Sequence, residues 1–405
     1  MKTSLPSSKK LFPKIAFISL LSVLILWMLF CFNILYAAGY PLTKFKNGHV
    51  VKTGQKTGKV SKRSTQFSVP SISYSSPKSY VVGHAITPLA PTSSGVTAFG
   101  YTGAPVVLGS GFSIPTSTAI DKDGNIYVTD YGNDLVRKMP AGGGASVNIG
   151  SGFVHPIGIA IDTTGNLFIT DNGSSVVYEI AHGTSNVTTI GSGFDSPLGL
   201  ATDIAGNVYV ADHVLSKVFK IPVGGGAPVS IGTGFNNPYA VAVDKAGNVY
   251  VADHNNNAIK KIAAVGGATT TLATGFNSPN GVAVDVFGNI FVADNGNDAV
   301  KMIPVGGGAV TTIGTGFMGP YGVSADATGN IYVADYSNNA IKEMTPTGGY
   351  YITPALPAGL SFDNATGGIS GTPTVLSPAT NYTVTAYNTD GSATALLNIG
   401  IIPLS

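Results

Sequence analysis

The side chains in this sequence with the clearest capacity for chemistry are two histidines, His213 and His254, which lie 41 residues apart. Each directly follows the same pentapeptide, Val-Tyr-Val-Ala-Asp. An imidazole can bind a metal ion or act as a general base near neutral pH. This pattern is therefore compatible with a metal or base site, but two solvent-exposed loop histidines without a chemical role are the favoured interpretation.

The two histidines belong to a sequence that repeats six times with a period of 41 residues. Every copy contains the phrase Asp-x-x-Gly-Asn-x-Tyr/Phe-x-x-Asp. The first aspartates are Asp121, Asp162, Asp203, Asp244, Asp285 and Asp326, and the second are Asp130, Asp171, Asp212, Asp253, Asp294 and Asp335. Each copy except the last also contains four short strand patterns. A repeat of this length and content is typical of a β-propeller. We therefore predict an all-β fold with a six-bladed propeller over residues 104–346.

The repeated aspartates are better explained by turns than by ligand binding. The Asp-x-x-Gly-Asn segment joins the first two strands of each copy, where Asp can accept backbone N–H groups and Gly supplies positive φ. The last copy lacks its fourth strand after Glu343. We expect Val106–Leu108, near the start of the array, to supply that strand and close the ring.

The loops that link the blades and the loops that join second to third strands should share one face of the propeller. These loops differ between copies, whereas the strand positions repeat closely. Repeats vary where neighbouring segments differ or where ligands bind, so this rim is the predicted binding surface. We predict no catalytic residue and no metal ligand set. The predicted binding residues are Tyr131, His155, His213, Tyr239, His254, Tyr321 and Tyr336.

The phrase Pro-x-Gly-x-Ala-x-Asp-x-x-Gly-Asn-x-Tyr-Val-Ala-Asp, present with small changes in all six copies, resembles the NHL-repeat family. Repeats 1 and 4 depart from it, since Ser117 and Ala240 replace the first glycine. The resemblance implies a propeller that serves as a protein-binding platform, a sensor, an RNA binder or an enzyme scaffold, so fold alone does not decide function. Streptogramin-lyase propellers have similar repeats and use His with Glu at the mouth. Here the propeller's two glutamates, Glu179 and Glu343, lie on third strands.

The segments on either side of the propeller resemble bacterial Ig-like domains that occur in tandem on surface proteins. The motif Leu-Pro-Ala-Gly-Leu-Ser-Phe-Asp…Thr-Gly-Gly-Ile-Ser-Gly-Thr-Pro within Tyr350–Ile401 carries the resemblance, and Ile72–Gly95 is similar to the first strands of the same domain type. Neither piece has enough strands for a sandwich. We predict one Ig-like domain, residues 70–103 and 347–405, split by insertion of the propeller. The alternative is two fragments that pack on the propeller.

The N-terminus has the features of an export signal. Lysines precede an apolar stretch at 15–38, and small residues follow. We interpret residues 1–38 as a signal peptide or, if uncleaved, a membrane anchor. Residues 39–69 are predicted to be a basic flexible linker. Cys31, the single cysteine, lies in the apolar stretch, so we expect no disulfide in the folded part.

Charge is distributed unevenly along the chain. Residues 1–78 contain twelve Lys/Arg and no Asp or Glu, whereas 104–346 contain ten Lys/Arg and eighteen Asp/Glu, a difference of −8. A negative propeller repels phosphate backbones, which argues against nucleic-acid binding.

Taken together, these patterns indicate a monomeric binding or scaffold protein that is secreted, periplasmic or at the cell surface. We expect its propeller rim to engage a protein or glycan outside the cytoplasm, with no cofactor and with membrane contact only through an uncleaved N-terminal segment. The alternative is a propeller lyase or hydrolase, streptogramin-lyase-like or metal-dependent, with a His-containing site at the channel mouth.

Overall fold

The computed structural model describes residues 45–46, 49–50 and 68–404, except 266, 306–308 and 355. The chain divides into two compact units, Met1–Thr65 and Gln66–Ser405. In the first unit, β1 (Phe45–Lys46) pairs antiparallel with β2 (His49–Val50), within the predicted linker. The predicted signal or anchor at 1–38 lies outside the described residues. Among the residues that are described, no helix is long and apolar enough to cross a membrane.

The second unit is built from strands. Before the propeller lie β3 (Ser71–Ser73), β4 (Lys78–Val81), β5 (Thr92–Ser94) and β6 (Gly100–Tyr101), and the closing strand β7 (Val106–Leu108) follows. Blade 1 contains β8 (Pro115–Ile120), β9 (Ile126–Asp130), β10 (Leu135–Met139) and β11 (Val147–Asn148). Blade 2 contains β12 (Pro156–Ile161), β13 (Leu167–Asp171), β14 (Val176–Ile180) and β15 (Val187–Gly191). Blade 3 contains β16 (Pro197–Thr202), β17 (Val208–Asp212), β18 (Lys217–Ile221) and β19 (Val229–Ile231).

The remaining strands complete the ring and the flanking domain. Blade 4 contains β20 (Pro238–Val243), β21 (Val249–Asp253), β22 (Ala258–Ile262) and β23 (Thr269–Thr274). Blade 5 contains β24 (Pro279–Val284), β25 (Ile290–Asp294), β26 (Ala299–Ile303) and β27 (Thr311–Gly314). Blade 6 contains β28 (Pro320–Ala325), β29 (Ile331–Asp335) and β30 (Ala340–Met344). After the propeller come β31 (Pro346–Thr353), β32 (Leu360–Phe362), β33 (Ile369–Gly371), β34 (Ser377–Asn388) and β35 (Gly391–Ile402). Short 3₁₀ helices lie at Tyr131–Asn133, His254–Asn256, Asn295–Asn297 and Tyr336–Asn338.

Each blade is a four-stranded antiparallel sheet, and the six sheets form the predicted propeller. The second strand of every blade is buried at all five positions. Its aromatic residue packs between blades, as Tyr250 of blade 4 does in one core cluster with Val282 and Val292 of blade 5. Apolar clusters between neighbouring sheets therefore hold the ring together.

The ring closes through β7, as the sequence predicts. This strand pairs antiparallel with β30, with Val106 opposite Glu343 and Leu108 opposite Ile341. Leu108 is buried in a cluster that also contains Phe112, Ile126 and Tyr332. Residues from both ends of the array thus share one sheet and one core, which removes two exposed strand edges.

The first aspartates form the turns that the sequence predicts. Oδ1 of Asp203 accepts the backbone N–H groups of Ala205 and Asn207, at 3.0 and 2.9 Å, and Oδ2 accepts the Asn207 side-chain amide at 2.8 Å. The other five copies repeat the contact between the aspartate and the side chain of Asn four residues later. These carboxylates are therefore occupied by local hydrogen bonds.

The flanking segments form one Ig-like domain, as predicted from the split resemblance. Its five-stranded sheet has the order β4-β35-β34-β31-β6, so strands from both sides of the propeller are hydrogen-bonded neighbours. The two-stranded sheets β3-β5 and β32-β33 accompany it, and a shared core contains Tyr350, Tyr382 and Leu397. The propeller is thus an insertion in this domain.

The domain packs on the blade 5 hairpin through Phe287. Its ring lies 5.6 Å from that of Tyr351 and 6.0 Å from that of Phe362, between ring centroids. Asp285 in the same hairpin is 7% exposed, and burial raises the pKa of its carboxyl to about 6 despite the hydrogen bonds it accepts from Asn289 and Phe287. The hairpins of the other blades do not bury their first aspartate to this extent.

Candidate binding site at the channel mouth

The inner strands of the six blades surround a central channel with a volume of about 250 Å³. Four of these strands carry glycine at the third position, where neighbouring strands approach closely. A Cβ atom at Gly281 would lie 2.5 Å from the Tyr321 carbonyl oxygen, and one at Gly322 would lie 2.5 Å from that of Thr116. The repeated glycines therefore keep the channel narrow.

Two layers of side chains surround one end of this channel, which we call the mouth. The deeper layer follows the proline that begins each inner strand: Thr116, Ile157, Leu198, Tyr239, Asn280 and Tyr321. The outer layer follows the second aspartate of each blade, and all six of its members are half-buried: Tyr131, Asn172, His213, His254, Asn295 and Tyr336. Both layers come from the loops that the sequence places on one face.

The second aspartates hold the loops beneath the outer layer. All six are fully buried, and each accepts a backbone N–H from the loop that enters its own blade. In blade 5, for example, Asn277 donates to Asp294 at 2.7 Å, and the Asn297 amide donates to the same carboxylate at 2.7 Å. The hydrogen-bonding capacity of these buried carboxylates is used within the fold, so they are not available to a ligand.

Four blades neutralise this buried carboxylate with a cation from the third strand. The ion pairs are Arg137–Asp130, Lys260–Asp253, Lys301–Asp294 and Lys342–Asp335, with N···O distances of 2.6 to 2.7 Å. The same cations lie over a phenylalanine ring of the entering loop, as Lys301 does over Phe276 at 5.5 Å. In blades 2 and 3 the equivalent residues are Tyr178 and Phe219, which pack edge-on against Phe153 and Phe194.

Residues with a left-handed backbone conformation join each blade to the next through side-chain hydrogen bonds. Asp134 and Asp298 have φ of 54° and 49°, and their carboxylates accept the backbone N–H of His155 and Gly319, both at 2.7 Å. Asn257 and Asn339 act in the same way on Ser278 and Ile114. We did not predict this role from the sequence. The signal was present, because every copy has Asp, Asn or Ser at this position.

Aromatic rings fill much of the mouth. Tyr239 stacks on His254 with ring centroids 4.1 Å apart, and His213 approaches Tyr239 edge-on at 5.7 Å. Tyr321 lies 6.0 Å from Tyr239 and stacks on Tyr336 at 5.6 Å. Five of the seven predicted binding residues therefore form one continuous cluster.

The other two predicted residues form a separate pair. Tyr131 stacks on His155 with ring centroids 4.7 Å apart. His155 is exposed and has a φ of 57°, a conformation that is uncommon outside glycine. Tyr131 is nevertheless near enough to interact electrostatically with the Tyr321 phenol. The pair thus lies at the edge of the mouth, next to the main cluster.

His254 is held in one orientation by a residue that the prediction omitted. Its Nδ1 lies 2.8 Å from Oδ1 of Asn280, which is 5% exposed. Burial, opposed by this hydrogen bond and aided by the neighbouring His213, lowers the pKa of the His254 imidazole below 6.5. With the Asn280 oxygen as acceptor, Nδ1 carries the proton and Nε2 keeps its lone pair. Asn280 occupies the deeper layer at a variable position, which is the signal that could have identified it.

The mouth also contains polar groups without a protein partner. Nδ1 of His213 is buried and makes no hydrogen bond to any described residue. The hydroxyls of Tyr131, Tyr239, Tyr321 and Tyr336 also make no hydrogen bond to any described residue, and all four tyrosines are half-buried. Burial raises the pKa of the Tyr239 and Tyr321 phenols, which keeps both protonated.

Metal-ligating side chains do not gather at this site. Across the described part of the chain, no three His, Cys, Asp or Glu residues lie close enough together to hold a metal ion.

Family models match two parts of the chain. A model described as "NHL repeat" matches residues 112–139 and 235–262, in blades 1 and 4. A model described as "Putative Ig domain" matches residues 320–401. The structure assigns 320–344 of that match to blade 6 and the remainder to the Ig-like domain. The chain therefore carries NHL repeats in a six-bladed propeller, together with an Ig-like domain. A search of curated proteins finds no match.

Solved structures similar to this chain are also propeller proteins. A gluconolactonase, XC5397 from Xanthomonas campestris, is 14% identical, with 67% of this chain and 99% of that chain covered and a TM-score of 0.53. Virginiamycin B lyase from Staphylococcus aureus is 13% identical, with 67% and 98% covered and a TM-score of 0.47. At these identities the likeness concerns the fold alone.

Proposed function

We propose that this protein is an exported binding protein whose propeller mouth engages a protein or glycan outside the cytoplasm. The observation that carries the proposal is the group of uncharged hydrogen-bonding side chains that lie around the channel and bond to no described residue. A concave site with a few convergent polar groups among aromatic rings is the usual form of a binding site. The Ig-like domain would act as a spacer, and the N-terminal apolar stretch would direct export.

The proposal predicts that a partner depends on the mouth. The full chain, immobilised, is exposed to cell-envelope proteins and polysaccharides, in parallel with the double variant Tyr239→Ala/His254→Ala. We expect a retained partner that the double variant loses. Circular dichroism and thermal unfolding check that both proteins fold. Retention of no partner, or equal retention by both proteins, would contradict the proposal.

A lyase or hydrolase is the second candidate, and the His254–Asn280 contact favours it. A histidine held neutral by burial, with its Nδ1 proton fixed by an amide oxygen, presents Nε2 as a general base. Glucono-1,5-lactone hydrolysis is a suitable first assay, with elemental analysis of the purified protein for bound metal. Activity that falls at least a hundredfold in His254→Ala would support this candidate. A metal-free protein whose activity is unchanged in His213→Ala/His254→Ala would remove it.

A further inference from the structure

The mouth carries a hydrogen-bonding pattern specific enough to indicate the chemical class of its ligand. We propose that it binds a neutral sugar residue, one unit of a glycan, whose hydroxyls bond to the Tyr239 and Tyr321 phenols and to Nε2 of His254. This inference rests on the proposed function and narrows it from a protein or glycan to an uncharged saccharide.

The charges around the mouth disfavour an ionic ligand. The second aspartates are fully buried and hydrogen-bonded, so they offer no carboxylate to a cationic group. Lys260, Lys301 and Lys342 are each paired with one of them. The exposed carboxylates of Asp134 and Asp298 lie in the surrounding loops and would repel an anion. An uncharged ligand meets neither a desolvation cost for its own charge nor this repulsion.

The available groups match a ligand rich in hydroxyls. A phenol can donate one hydrogen bond and accept others, and the neutral imidazole of His254 accepts at Nε2. The phenols remain protonated because burial raises the pKa of Tyr239 and Tyr321. A sugar ring carries several hydroxyls that each donate and accept, together with C–H faces that pack on aromatic rings. It can therefore bond to several mouth groups at once, where a single peptide carbonyl could use one donor.

The size of the channel also favours a small unit. The channel, which Tyr239 and Tyr321 line at its mouth, has a volume of about 250 Å³ along the length of the six inner strands, below the 300–1,000 Å³ typical of sites for drug-sized ligands. A folded protein would contact the surrounding loops and leave the hydroxyls inside the mouth solvated. A terminal or internal sugar residue can reach them.

Glycan microarrays and calorimetry on the full chain test the inference. The array presents neutral glucans, galactans and mannans, acidic uronic-acid glycans and cationic chitosan oligosaccharides. We expect binding to a neutral glycan. Tyr239→Phe and Tyr321→Phe should each weaken its affinity about threefold to tenfold in titration calorimetry, the effect of losing one hydrogen bond. Tyr178→Phe, which removes a phenol outside the mouth, should leave the affinity unchanged.

The outcomes separate the inference from the proposed function. Preference for acidic or cationic glycans, or neutral-glycan binding that neither mouth variant weakens, would overturn the inference. A different outcome is that no glycan binds, but an envelope protein is retained by the natural chain and lost by Tyr239→Ala/His254→Ala. In that case the neutral-sugar inference is wrong and the proposed binding function stands. If no partner depends on the mouth, both proposals fail. Thermal unfolding of each variant confirms that the fold is intact, since each Phe variant removes a single oxygen atom.

Discussion

At the scale of single residues, the protonation of His254 should affect folding in a definite direction. Its imidazole pKa is lowered below 6.5, mainly by burial, so the unfolded chain binds the proton more tightly than the folded one. The stability of the fold should therefore fall as pH decreases through 6.5. The same protonation would remove the acceptor at Nε2 and weaken a ligand that uses it.

The variant His254→Gln tests this coupling. As pH decreases from 7.5 to 5, the natural protein should lose stability while the variant, which lacks the titrating group, should not. The unfolding free energy of the variant should therefore rise relative to that of the natural protein. Urea denaturation across that range measures the difference. The exposed His182, replaced by Gln, is the matched control. An equal pH slope for both variants would contradict the prediction.

Asp285 should act in the opposite direction. Its carboxyl has a pKa of about 6 in the fold, against 3.8 as an ordinary value. Because the folded state binds this proton more tightly, stability is lost as pH rises from 3.8 through 6 and stays lower above it. At neutral pH, the ionised Asp285 carboxyl should therefore lower the unfolding free energy by an amount on the order of 3 kcal/mol.

Asp285→Asn should therefore gain stability relative to the natural protein as pH rises from 4 to 7. The amide retains an oxygen that can accept the Phe287 and Asn289 backbone N–H groups at this turn. Chemical denaturation at several pH values provides the measurement, with Asp244→Asn at the equivalent position of blade 4 as control. A difference between variant and natural protein that does not change with pH would show that burial does not perturb Asp285.

At the scale of elements, the cation on the third strand stabilises the entering loop. Lys301 pairs with the fully buried Asp294 at 2.6 Å and donates to the Gly275 carbonyl at 2.9 Å. Removing one partner of a buried ion pair leaves a charge without compensation. Blades 2 and 3 have no cation at this position. Tyr178 and Phe219 pack there instead, and backbone N–H groups donate to the carboxylates of Asp171 and Asp212.

Lys301→Met should lower the unfolding free energy by about 3 kcal/mol. The exposed Lys217, which is on the third strand of blade 3 and forms no ion pair with a described residue, provides the control as Lys217→Met. Adding Asp294→Asn to Lys301→Met should recover part of the loss, because the unpaired charge is then gone. Guanidinium denaturation measures all three. Equal stability of the two methionine variants would contradict the account.

The elements could be predicted because their sequence repeats. Six copies of the turn phrase and the buried second strand fix the strand order, and the missing fourth strand in the last copy pointed to Val106–Leu108. The contacts within the mouth could not be predicted in this way. The stacking of Tyr239 on His254 lies within blade 4, between residues 15 positions apart, and the hydrogen bond between His254 and Asn280 joins blade 4 to blade 5. Both contacts therefore depend on where the folded ring brings these side chains. Comparing equivalent positions of the six repeats identifies such residues as variable, but it does not show which side chains contact each other.

At the scale of the whole molecule, closure of the ring joins the two ends of the propeller and positions both halves of the Ig-like domain. Leu108 on the closing strand is 5% exposed and packs with core residues of blades 1 and 6. The adjacent Val107 is 57% exposed and has little core contact. The strand should thus stabilise the ring mainly through its one buried side chain.

Leu108→Ala should lower the unfolding free energy by about 2–4 kcal/mol, the usual cost of truncating a buried leucine. Val107→Ala should change it by less than about 0.5 kcal/mol, as at other surface positions. Thermal and urea unfolding of the full chain give both values. A similar loss in the two variants would indicate that burial of Leu108 is not what closes the ring.

The insertion of the propeller into the Ig-like domain was predictable from the two flanking resemblances, but the contact between the domains was not. Phe287 lies at a turn position that holds Asp123, Thr164, Ala205, Ala246 and Thr328 in the other copies. Phe287 is the only large apolar residue at this turn position, which the sequence alone shows. That its ring packs against the core of the Ig-like domain is known only from the structure.

Hydrogen exchange of the full chain, with and without its bound partner, tests the central claim that the mouth is the binding site. We predict slower exchange on binding in the loops at 113–116, 131–134, 213–216, 236–239, 254–257, 277–280 and 318–321, with the outer strands and the Ig-like sheet unchanged. Protection confined to the Ig-like sheet or to the outer strands, with these loops unaffected, would contradict the account.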